Sequence, residues 1–391
     1  MFVIGLNLRS LTVKKKSIDM KNGHRIVAMI TVLTLVIAVA GCGSAQPKTA
    51  EISLPTGFQI SIYASGIEGA RSLTLGENGV VFVGSRDAGR VYALVDEKGD
   101  GAKVSVITVA SNLDTPNGVA FYKGSLYVAE VSRILRYDHI MRNLSQPPEP
   151  VVVVDNLPRE RHHGWKFIAI GPDEKLYVPI GAPCNICKSE DERFASIMRM
   201  NLDGSEMEIF ARGVRNAVGF AWDPITREFW FTDNGRDWLG DNLPPDELNH
   251  APIPGMHFGY PYYYGDNAVD PEFKEPSLNS PPSLPAMKLG AHVAPLGMRF
   301  YTGPMFPSEY RNQIFIAEHG SWNRTSPTGY RISLVRLQEG KPMSYEVFAQ
   351  GWLQSVSAWG RPVDVLVMPD GALLVSDDRA NAVYRISYQT R

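Results

Sequence analysis

The stretch GVRNAVGFAWDPITREFWFTDNGRDWLGDNLPPDELN, residues 213–249, decides the fold of this chain. It contains two apolar runs, at 218–222 and 229–231, with a polar turn between them. This pattern predicts a β-hairpin. An arginine–asparagine pair, Arg215 and Asn216, precedes the hairpin, and a loop rich in Gly, Asp, Asn and Pro follows it. Polar groups at both ends of a hairpin indicate a β-scaffold that carries a site at one rim.

The second run of this hairpin, FWFTD at 229–233, is one of six copies of a short pattern. Each copy has three large apolar residues followed by small or polar ones, and the others are VFVGS at 81–85, LYVAE at 126–130, LYVPI at 176–180, IFIAE at 314–318 and LLVSD at 373–377. The central residues of successive copies are 45, 50, 53, 85 and 59 residues apart. A propeller blade of four short strands takes about 40–50 residues.

Each interval therefore fits one blade, and the longest contains an insertion, which we place at 235–294. We predict an all-β fold, a six-bladed β-propeller. A β-sandwich of unrelated strands is the alternative, but it does not account for the regular spacing. Propellers gather their ligand-binding loops on one face around the axis.

The composition is that of a globular protein with a large core. The chain has 391 residues, of which 44% are hydrophobic, and its 35 Gly and 28 Pro favour many turns. The formal net charge is −2, but residues 1–41 hold six Lys/Arg and one acidic residue. The remainder has 33 basic and 40 acidic residues, a net charge of −7. A mildly acidic body argues against nucleic-acid binding.

Residues 1–41 predict a signal peptide. Lys21 and Arg25 form a basic region ahead of an apolar run at 26–40, which is too short for a confident membrane span. Met20 is the better start, because the signal peptide then has its normal length.

The apolar run ends in VAGCG, which resembles a bacterial lipobox with Cys42 as the lipidated residue. Ordinary secretion and an anchor helix are the alternatives to a lipoprotein. We expect 42–53 to form a lipidated flexible tether and 54–391 to form the catalytic propeller. The expected location is the cell envelope, with the protein attached to a membrane through Cys42 and facing the periplasm or the cell exterior.

The other two cysteines, Cys184 and Cys187, form a CNIC pair. Outside the cytosol such a pair is most simply a small disulfide loop, and a redox-active disulfide is the alternative. Lys188 stands where c-type haem attachment requires a histidine. A zinc site would need two further ligands, which no nearby spacing offers.

A histidine and an arginine stand ahead of neighbouring predicted strands. RHHGWK at 161–166 contains His162 and His163, and in an extended backbone only one of these rings lines the axis. Histidine is the natural general base for a hydroxyl proton near neutral pH. The guanidinium of Arg215 suits a polycarboxylate or quinone ligand. Packed or surface histidines and a rim ion pair are the alternatives.

The loop at 232–237 favours Ca²⁺, which accepts backbone carbonyls and carboxylates as ligands. Further oxygen donors follow at Asp241, Asp246, Glu247 and Asn249. No EF-hand spacing is present, so a solvated acidic loop is the alternative.

Two later segments each offer a cation and an aromatic ring, which suit a flat anionic cofactor. They are EHGSWNR at 318–324 and WGRPVD at 359–364. The sequence contains no glycine-rich phosphate loop, no G-x-S-x-G and no H-E-x-x-H.

Together these phrases resemble the soluble pyrroloquinoline-quinone (PQQ) sugar dehydrogenases of the glucose/sorbosone dehydrogenase family. The matching phrases are HGWKFIAIGPD at 163–173, GVRNAVGF at 213–220, NGRD at 234–237, DELN at 246–249 and GRPV at 360–363. The resemblance covers residues 54–388. Phe167 stands where the family has a basic residue, and the loop at 182–187 differs from that of glucose-oxidising members. These departures bear mainly on the identity of the substrate.

The resemblance implies PQQ and Ca²⁺ near the axis of the propeller. His163 would be the general base that takes the proton of the sugar hydroxyl while hydride passes to the quinone. Arg215 and Asn216 would contact the cofactor, and Arg215 would polarise its reacting carbonyl. The backbone carbonyls of Gly235 and Arg236 would ligate Ca²⁺.

Further contacts are expected around this centre. Arg361 would bind a cofactor carboxylate, and His319 or Arg324 would supply another cationic contact. We also expect Glu247 among the metal ligands.

The sequence thus predicts a sugar dehydrogenase acting on a hydroxyl or a hydrated aldehyde, with electrons passing to an envelope acceptor that the sequence does not identify. Two alternatives remain open. One is a Ca²⁺-dependent lactonase on a similar propeller, and the other is a non-enzymatic binding propeller of the cell envelope.

Overall fold

The computed structural model describes residues 47–273, 278 and 280–389. The predicted signal peptide, Cys42 and the first residues of the predicted tether lie outside this range. Within the tether, Thr49–Glu51 forms a 3₁₀ turn, and Ser53 forms a β-bridge with Gln350. The end of the tether therefore already contacts the folded body.

Six antiparallel sheets form the described body, and the prediction of a six-bladed propeller is confirmed. Blade one consists of Ala70–Leu75, Val81–Ser85, Val91–Asp96 and Val104–Ala110. Blade two consists of Gly118–Tyr122, Ser125–Ala129, Ile134–Tyr137 and Val151–Val154. Blade three consists of Ala169–Ile170, Leu176–Ile180, Ser196–Met200 and Glu208–Arg212, with Met256–His257 added in parallel to the last strand.

The remaining blades follow the same order. Blade four consists of Gly219–Trp222, Phe229–Asp233, Pro245–Ala251 and Met287–Ala291. Blade five consists of Pro295–Phe300, Ile314–Glu318, Arg331–Gln338 and Lys341–Gln350. Blade six consists of Pro362–Val367, Leu373–Asp377, Ala382–Tyr388 and Phe58–Ser65. Smaller elements are the hairpins Tyr263–Tyr264 with Ala268–Val269 and Leu353–Gln354 with Ser357–Ala358, and the 3₁₀ turns Glu77–Gly79, Ile140–Arg142 and Ser308–Tyr310.

The ring is closed by both ends of the described body. Phe58–Ser65 pairs antiparallel with Ala382–Tyr388 as the outer strand of blade six, with Phe58 opposite Tyr388. Blade six therefore forms only after the whole body has been synthesised, which makes ring closure a long-range contact.

The repeated apolar pattern is the second strand of every blade. Such strands are buried on both faces: all five residues of Leu373–Asp377 and of Phe229–Asp233 are buried. Hydrophobic clusters lie between each pair of neighbouring blades and fill both sides of each sheet. A strand buried on both faces carries a continuous apolar run instead of an alternating one, which explains the pattern.

The insertion predicted at 235–294 is partly wrong. Pro245–Ala251 and Met287–Ala291 are the third and fourth strands of blade four. Their polar composition hid them, because Asp246, Glu247 and Asn249 are buried on a strand and are not members of an exposed loop. The additional chain of this blade lies between these two strands.

The first strands surround the axis, and those of neighbouring blades contact one another. Val218, Leu296 and Val363 form a small apolar cluster there, with Trp165 packed against it. Within the described residues, the structure contains no helix that is long and apolar enough to cross a membrane.

Candidate active site

The predicted site residues converge on one end of the axis because of strand direction. In each blade the first strand begins, and the second strand ends, at the same rim. Arg215 and Asn216 enter blade four at this rim, and Asn234 and Gly235 leave its second strand there. A cavity of about 240 Å³ opens at this point.

The structure brings six of the predicted residues to the wall of this cavity: His163, Arg215, Asn216, Gly235, His319 and Arg361. Arg236 and Glu247 instead line a neighbouring cavity of about 30 Å³, where Gly235 and Arg215 also reach. Arg324 lines neither cavity, and its Nη1 donates to the carbonyl of Ala291 at 3.2 Å.

His163 lies in a turn and not in an extended backbone, and of the two histidines it alone lines the cavity. Its φ is +52°, and the rings of His162 and His163 contact each other at 4.1 Å between centroids. A left-handed conformation costs a residue of this type about 1–3 kcal/mol. The turn exposes His162 and directs His163 to the cavity. Gly181 permits this packing, because a Cβ at Gly181 would lie 2.6 Å from the Cβ of His163.

The surroundings of His163 fix both its tautomer and its charge. Its Nδ1 lies 2.9 Å from the carbonyl of Ala182, and a carbonyl can only accept, so Nδ1 carries the proton and Nε2 the lone pair. Burial and then the positive charge of Arg215 lower the pKa of His163 from 6.5 to about 2. The imidazole is therefore a neutral proton acceptor across the physiological range.

Arg215 is held by protein oxygens on all sides. Its Nε donates to the Asn185 carbonyl at 2.9 Å, and Nη1 donates to the carbonyls of Asn234 and Gly235 at 3.1 and 2.8 Å. Its Nη2 donates to Asn185 Oδ1 at 2.9 Å and to Asp237 Oδ2 at 3.4 Å. These contacts use all five N–H groups of the guanidinium. Arg215 therefore gives the cavity a positive charge at a fixed position.

Asn185 belongs to the disulfide loop that the sequence predicts. The Sγ atoms of Cys184 and Cys187 are bonded, and the Cys187 N–H donates to the Tyr260 hydroxyl at 3.0 Å. Asn185 Oδ1 also accepts from the Asp237 N–H at 2.8 Å, and Asn185 Nδ2 donates to the Asp237 carbonyl at 3.2 Å. The disulfide loop thus holds both Arg215 and the loop after the second strand of blade four.

We expect Asn185→Ala to lower the free energy of unfolding by about 2–3 kcal/mol, because it leaves a buried Arg215 N–H and the Asp237 N–H without acceptors. Chemical denaturation measures the change, with the exposed Asn143→Ala as the matched control. A variant as stable as the wild type would show that Arg215 does not depend on Asn185.

The opposite wall of the cavity carries three further arginines. Arg71 is buried, and it donates to Asn117 Oδ1 at 2.7 Å and to Asp378 Oδ2 at 2.9 Å. Arg361 donates to the carbonyls of His319 and Gly320 at 2.9 and 2.7 Å. Arg86 lies with its Cζ 4.7 Å from the centroid of the Trp165 ring.

His319 and Asp378 form a buried pair beside these arginines, with Nε2 2.9 Å from Oδ1. Burial lowers the pKa of His319 to about 4 in spite of the carboxylate. Burial alone would raise the pKa of Asp378, but His319, Arg71 and Arg361 lower it well below its usual range. His319 is therefore neutral and donates to an ionised Asp378.

Known proteins are similar to this chain in sequence and in fold. A family model described as "Domain of unknown function (DUF7133)" matches residues 46–383. The chain belongs to this family. An uncharacterized protein of Borreliella burgdorferi is 34% identical over 376 residues, which cover 92% of this chain and 97% of that protein.

Two fungal proteins resemble this family member more distantly. The PQQ-dependent pyranose dehydrogenase of Coprinopsis cinerea is 21% identical over 419 residues, covering 88% of this chain and 55% of that protein. The holo structure of its PQQ domain has a TM-score of 0.72 at 19% identity, covering 88% of this chain and 99% of the domain. A calcium structure of a Trichoderma reesei protein of carbohydrate-active enzyme family AA12 has a TM-score of 0.74 at 19% identity, covering 89% and 100%. At these identities the structural likeness establishes the shared fold.

Several residues that line the cavity were missed from the sequence. Arg71 and Arg86 stand at the rim positions of blade one, as Arg215 does in blade four. His292 also lines the cavity, whereas Asp237, another lining residue, belongs to the loop at 232–237 that the sequence predicts to favour Ca²⁺. The position of Arg86, directly after a repeat strand, is a sequence pattern that could have identified it.

Glu247, which lines the neighbouring cavity, has an unusual pKa for a carboxylate. It accepts from the Gly265 N–H at 2.9 Å and from Asn249 Nδ2 at 3.1 Å. Burial first, and then the charge of Asp233, raise its pKa from 4.5 to about 8. The folded protein therefore holds Glu247 protonated at neutral pH, whereas the unfolded chain ionises it.

The free energy of unfolding should accordingly fall as pH rises. The contribution of Glu247 is complete below about pH 4.5 and is lost as pH passes through 8. We expect Glu247→Gln to remove a decline of about 2–4 kcal/mol between pH 5 and 9. Denaturation across this range measures the effect, with the exposed Glu309→Gln as the control. Parallel profiles for wild type and Glu247→Gln would contradict the assignment.

Proposed function

We propose that this protein is a PQQ-dependent dehydrogenase that oxidises a sugar or related polyol at a hydroxyl or hydrated aldehyde. The observation that carries the proposal is the neutral His163, with Nε2 free to accept, on the wall of a cavity that arginines surround. A proton acceptor facing an anion-binding wall suits oxidation of an alcohol by an anionic quinone. The likeness to the fungal PQQ domain supports the same reaction class.

The residues of the cavity fit PQQ, which is a flat quinone with three carboxylates. Arg71, Arg86 and Arg361 supply positive charge on one wall, and guanidinium groups bind carboxylates through paired hydrogen bonds. The indole Nε1 of Trp165, a cavity residue, is buried and donates to no described residue. This N–H suits an acceptor oxygen of a ligand.

His163 would act as the general base in this reaction. When bound, PQQ supplies the two-electron acceptor for the hydride that leaves the sugar carbon. Nε2 of His163 takes the hydroxyl proton, while the Ala182 carbonyl holds Nδ1–H and fixes the ring. An anionic ligand in the cavity offsets the positive charge of Arg215, which raises the pKa of His163 toward the range of an effective base.

We assign Arg215 a role that differs from the direct cofactor contact that the family resemblance implies. All five of its N–H groups already donate to protein oxygens, so its contribution is a fixed positive charge. Such a charge stabilises negative charge that develops on a neighbouring group. Asn216 lies beside it on the cavity wall, and its N–H is held by Asp233 at 2.6 Å.

One of the predicted calcium ligands already has a hydrogen-bond partner in this arrangement. The Gly235 carbonyl accepts from Nη1 of Arg215 at 2.8 Å, and the positive charge of this guanidinium disfavours a second cation beside it. Among the described residues, no group of three or more His, Cys, Asp or Glu is arranged to hold a metal. Calcium binding through Gly235, Arg236 and Glu247 therefore stays a prediction, and we derive no step through it.

The cellular setting is part of the same proposal. A lipid anchor at Cys42 would hold the enzyme at the envelope, where a sugar substrate and a membrane or soluble electron acceptor are accessible. The acidic character of the body, with 40 acidic and 33 basic residues after residue 41, fits a small-molecule substrate and not a nucleic acid.

The two alternative functions lack a supporting observation. A lactonase needs a metal held by side-chain carboxylates near the axis, but Asp246, which lines the cavity, accepts backbone N–H groups from Gly235 and Ala294 at 2.8 Å each. A binding module gives no reason for His163 and Arg215 to meet. That both residues line the same cavity supports an enzyme.

Reconstitution tests the proposal. The purified protein is titrated with PQQ, with and without added Ca²⁺, and dye reduction is followed with a panel of aldoses and polyols. We expect binding of PQQ and reduction of the dye with at least one sugar. Binding without any turnover across the panel would refute the proposed reaction, and no binding under either condition would refute the proposed cofactor. Hydrolysis of a lactone without dye would favour the lactonase.

A further inference from the structure

Two exposed tryptophans contact each other, and one of them, Trp322, lines the cavity. Trp238 and Trp322 are 65% and 66% exposed, and their rings meet edge to face at 5.2 Å between centroids. The other five tryptophans of the chain are buried or half-buried. An exposed aromatic pair gains little from the hydrophobic effect, so folding alone does not account for this one.

The backbone conformation of Trp238 is also not explained by folding alone. Its φ is +72°, which is unfavourable for a bulky side chain, and such a conformation costs about 1–3 kcal/mol. Burial of the ring does not offset this cost, because most of the ring faces solvent. Strain without burial is typical of residues that a ligand site requires.

Hydrogen bonds between two loops fix the pair in place. Trp238 follows the second strand of blade four, and Trp322 follows the second strand of blade five. Asn323 Nδ2 donates to Asp237 Oδ1 at 2.8 Å, and the Thr325 N–H donates to Asp241 Oδ1 at 3.0 Å. The two rings are thus joined by their polar sequence neighbours.

The pair also adjoins the proposed reaction centre. Trp322, Asn323 and Asp237 line the same cavity as His163. An aromatic ring, an amide and a carboxylate are therefore neighbours on the cavity lining.

The side-chain oxygen of Asn323 indicates which hydrogen-bonding group a ligand of this site must supply. A carboxylate can only accept, so the bond to Asp237 fixes which end of the Asn323 amide is nitrogen. The other end, Oδ1, is buried and accepts from no described residue. A ligand that completes this site is a hydrogen-bond donor. A sugar hydroxyl is such a donor.

We propose that Trp238 and Trp322 form a substrate platform that receives the C–H face of a pyranose ring, while Asn323 and Asp237 bind its hydroxyls. A pyranose has an apolar face and a hydroxyl-bearing edge, and the platform offers one surface for each. The inference rests on the proposed function and adds residues that select the substrate.

Kinetics of the PQQ-loaded enzyme test the platform. Trp322→Ala and Trp238→Ala should each raise KM for the sugar by about 5- to 20-fold, the size expected of an aromatic contact. The kcat, the affinity for PQQ and KM for the dye should stay within about twofold on the same reasoning. Phe at either position should restore most of the sugar KM. Val356→Ala, which removes another exposed apolar side chain, is the control.

Each outcome decides the proposal. An unchanged sugar KM in the double Ala variant overturns it, and a rise confined to KM for the dye assigns the pair to the electron acceptor instead. If the wild type binds PQQ but oxidises no sugar, the proposed function fails separately. Quenching of tryptophan fluorescence by the sugar panel then tests the platform alone. Quenching that the double variant loses supports it, and no quenching overturns it.

Discussion

Replacing His163 by Gln is expected to lower kcat by about 10²–10⁴-fold, the usual contribution of a positioned general base. The amide of glutamine is nearly as large as imidazole but cannot take a proton at neutral pH. Affinity for PQQ should change little, because the arginines of the opposite wall supply the charge that holds the cofactor. Stopped-flow turnover and an equilibrium PQQ titration separate the two effects.

His162→Gln is the matched control for this variant. His162 is adjacent in sequence and touches the His163 ring, but it is exposed and does not line the cavity. Its replacement should leave kcat within about threefold, as is usual for surface positions away from a site. Turnover by His163→Gln at the wild-type rate would show that another group takes the proton.

Arg361→Ala is expected to weaken PQQ binding by about 10- to 100-fold, which corresponds to the loss of a charge-assisted hydrogen bond. Arg361→Lys should give an intermediate affinity, since it keeps the charge but loses the planar fork. The wild-type affinity should fall with added salt, and that fall should be smaller in Arg361→Ala. Arg336→Ala, on the third strand of blade five, is the control.

An unchanged PQQ affinity in Arg361→Ala would contradict the assignment of this wall to cofactor carboxylates. A loss of stability would complicate the comparison, because Arg361 also holds the loop at His319 and Gly320. Melting temperatures of the cofactor-free proteins therefore accompany the titration. The Lys variant keeps the test decisive, because it retains the charge at the same position.

The propeller was predictable because its repeat has a simple physical cause. Each second strand is buried on both faces, so it keeps three large apolar residues in a row wherever it occurs. The rim positions follow from the same repeat. His163, Arg215 and Arg361 stand ahead of first strands, and Gly235 and His319 follow second strands, so the spacing alone places them around one axis.

What the sequence did not reveal depends on contacts between distant segments. Nothing local shows that Asn185 accepts from Arg215, 30 residues away. Nor does the local sequence show that protein oxygens accept from all five N–H groups of this guanidinium. The third strand of blade four was hidden because its polar residues are buried, whereas polar residues in a strand usually indicate an exposed face. Arg71 was missed because it lies within a strand, where an arginine usually indicates an exposed position.

The central claim is that a bound quinone and His163 together oxidise a sugar in the axial cavity. Single-turnover absorbance tests it most directly: protein loaded with PQQ is mixed with sugar in the absence of any dye or oxygen, and the spectrum of the bound cofactor is followed. The account predicts rapid loss of the oxidised spectrum with the wild type and His162→Gln, and a loss about 10²–10⁴-fold slower with His163→Gln. An oxidised spectrum that persists in the wild type with every sugar of the panel, or that is lost equally fast in His163→Gln, would contradict it.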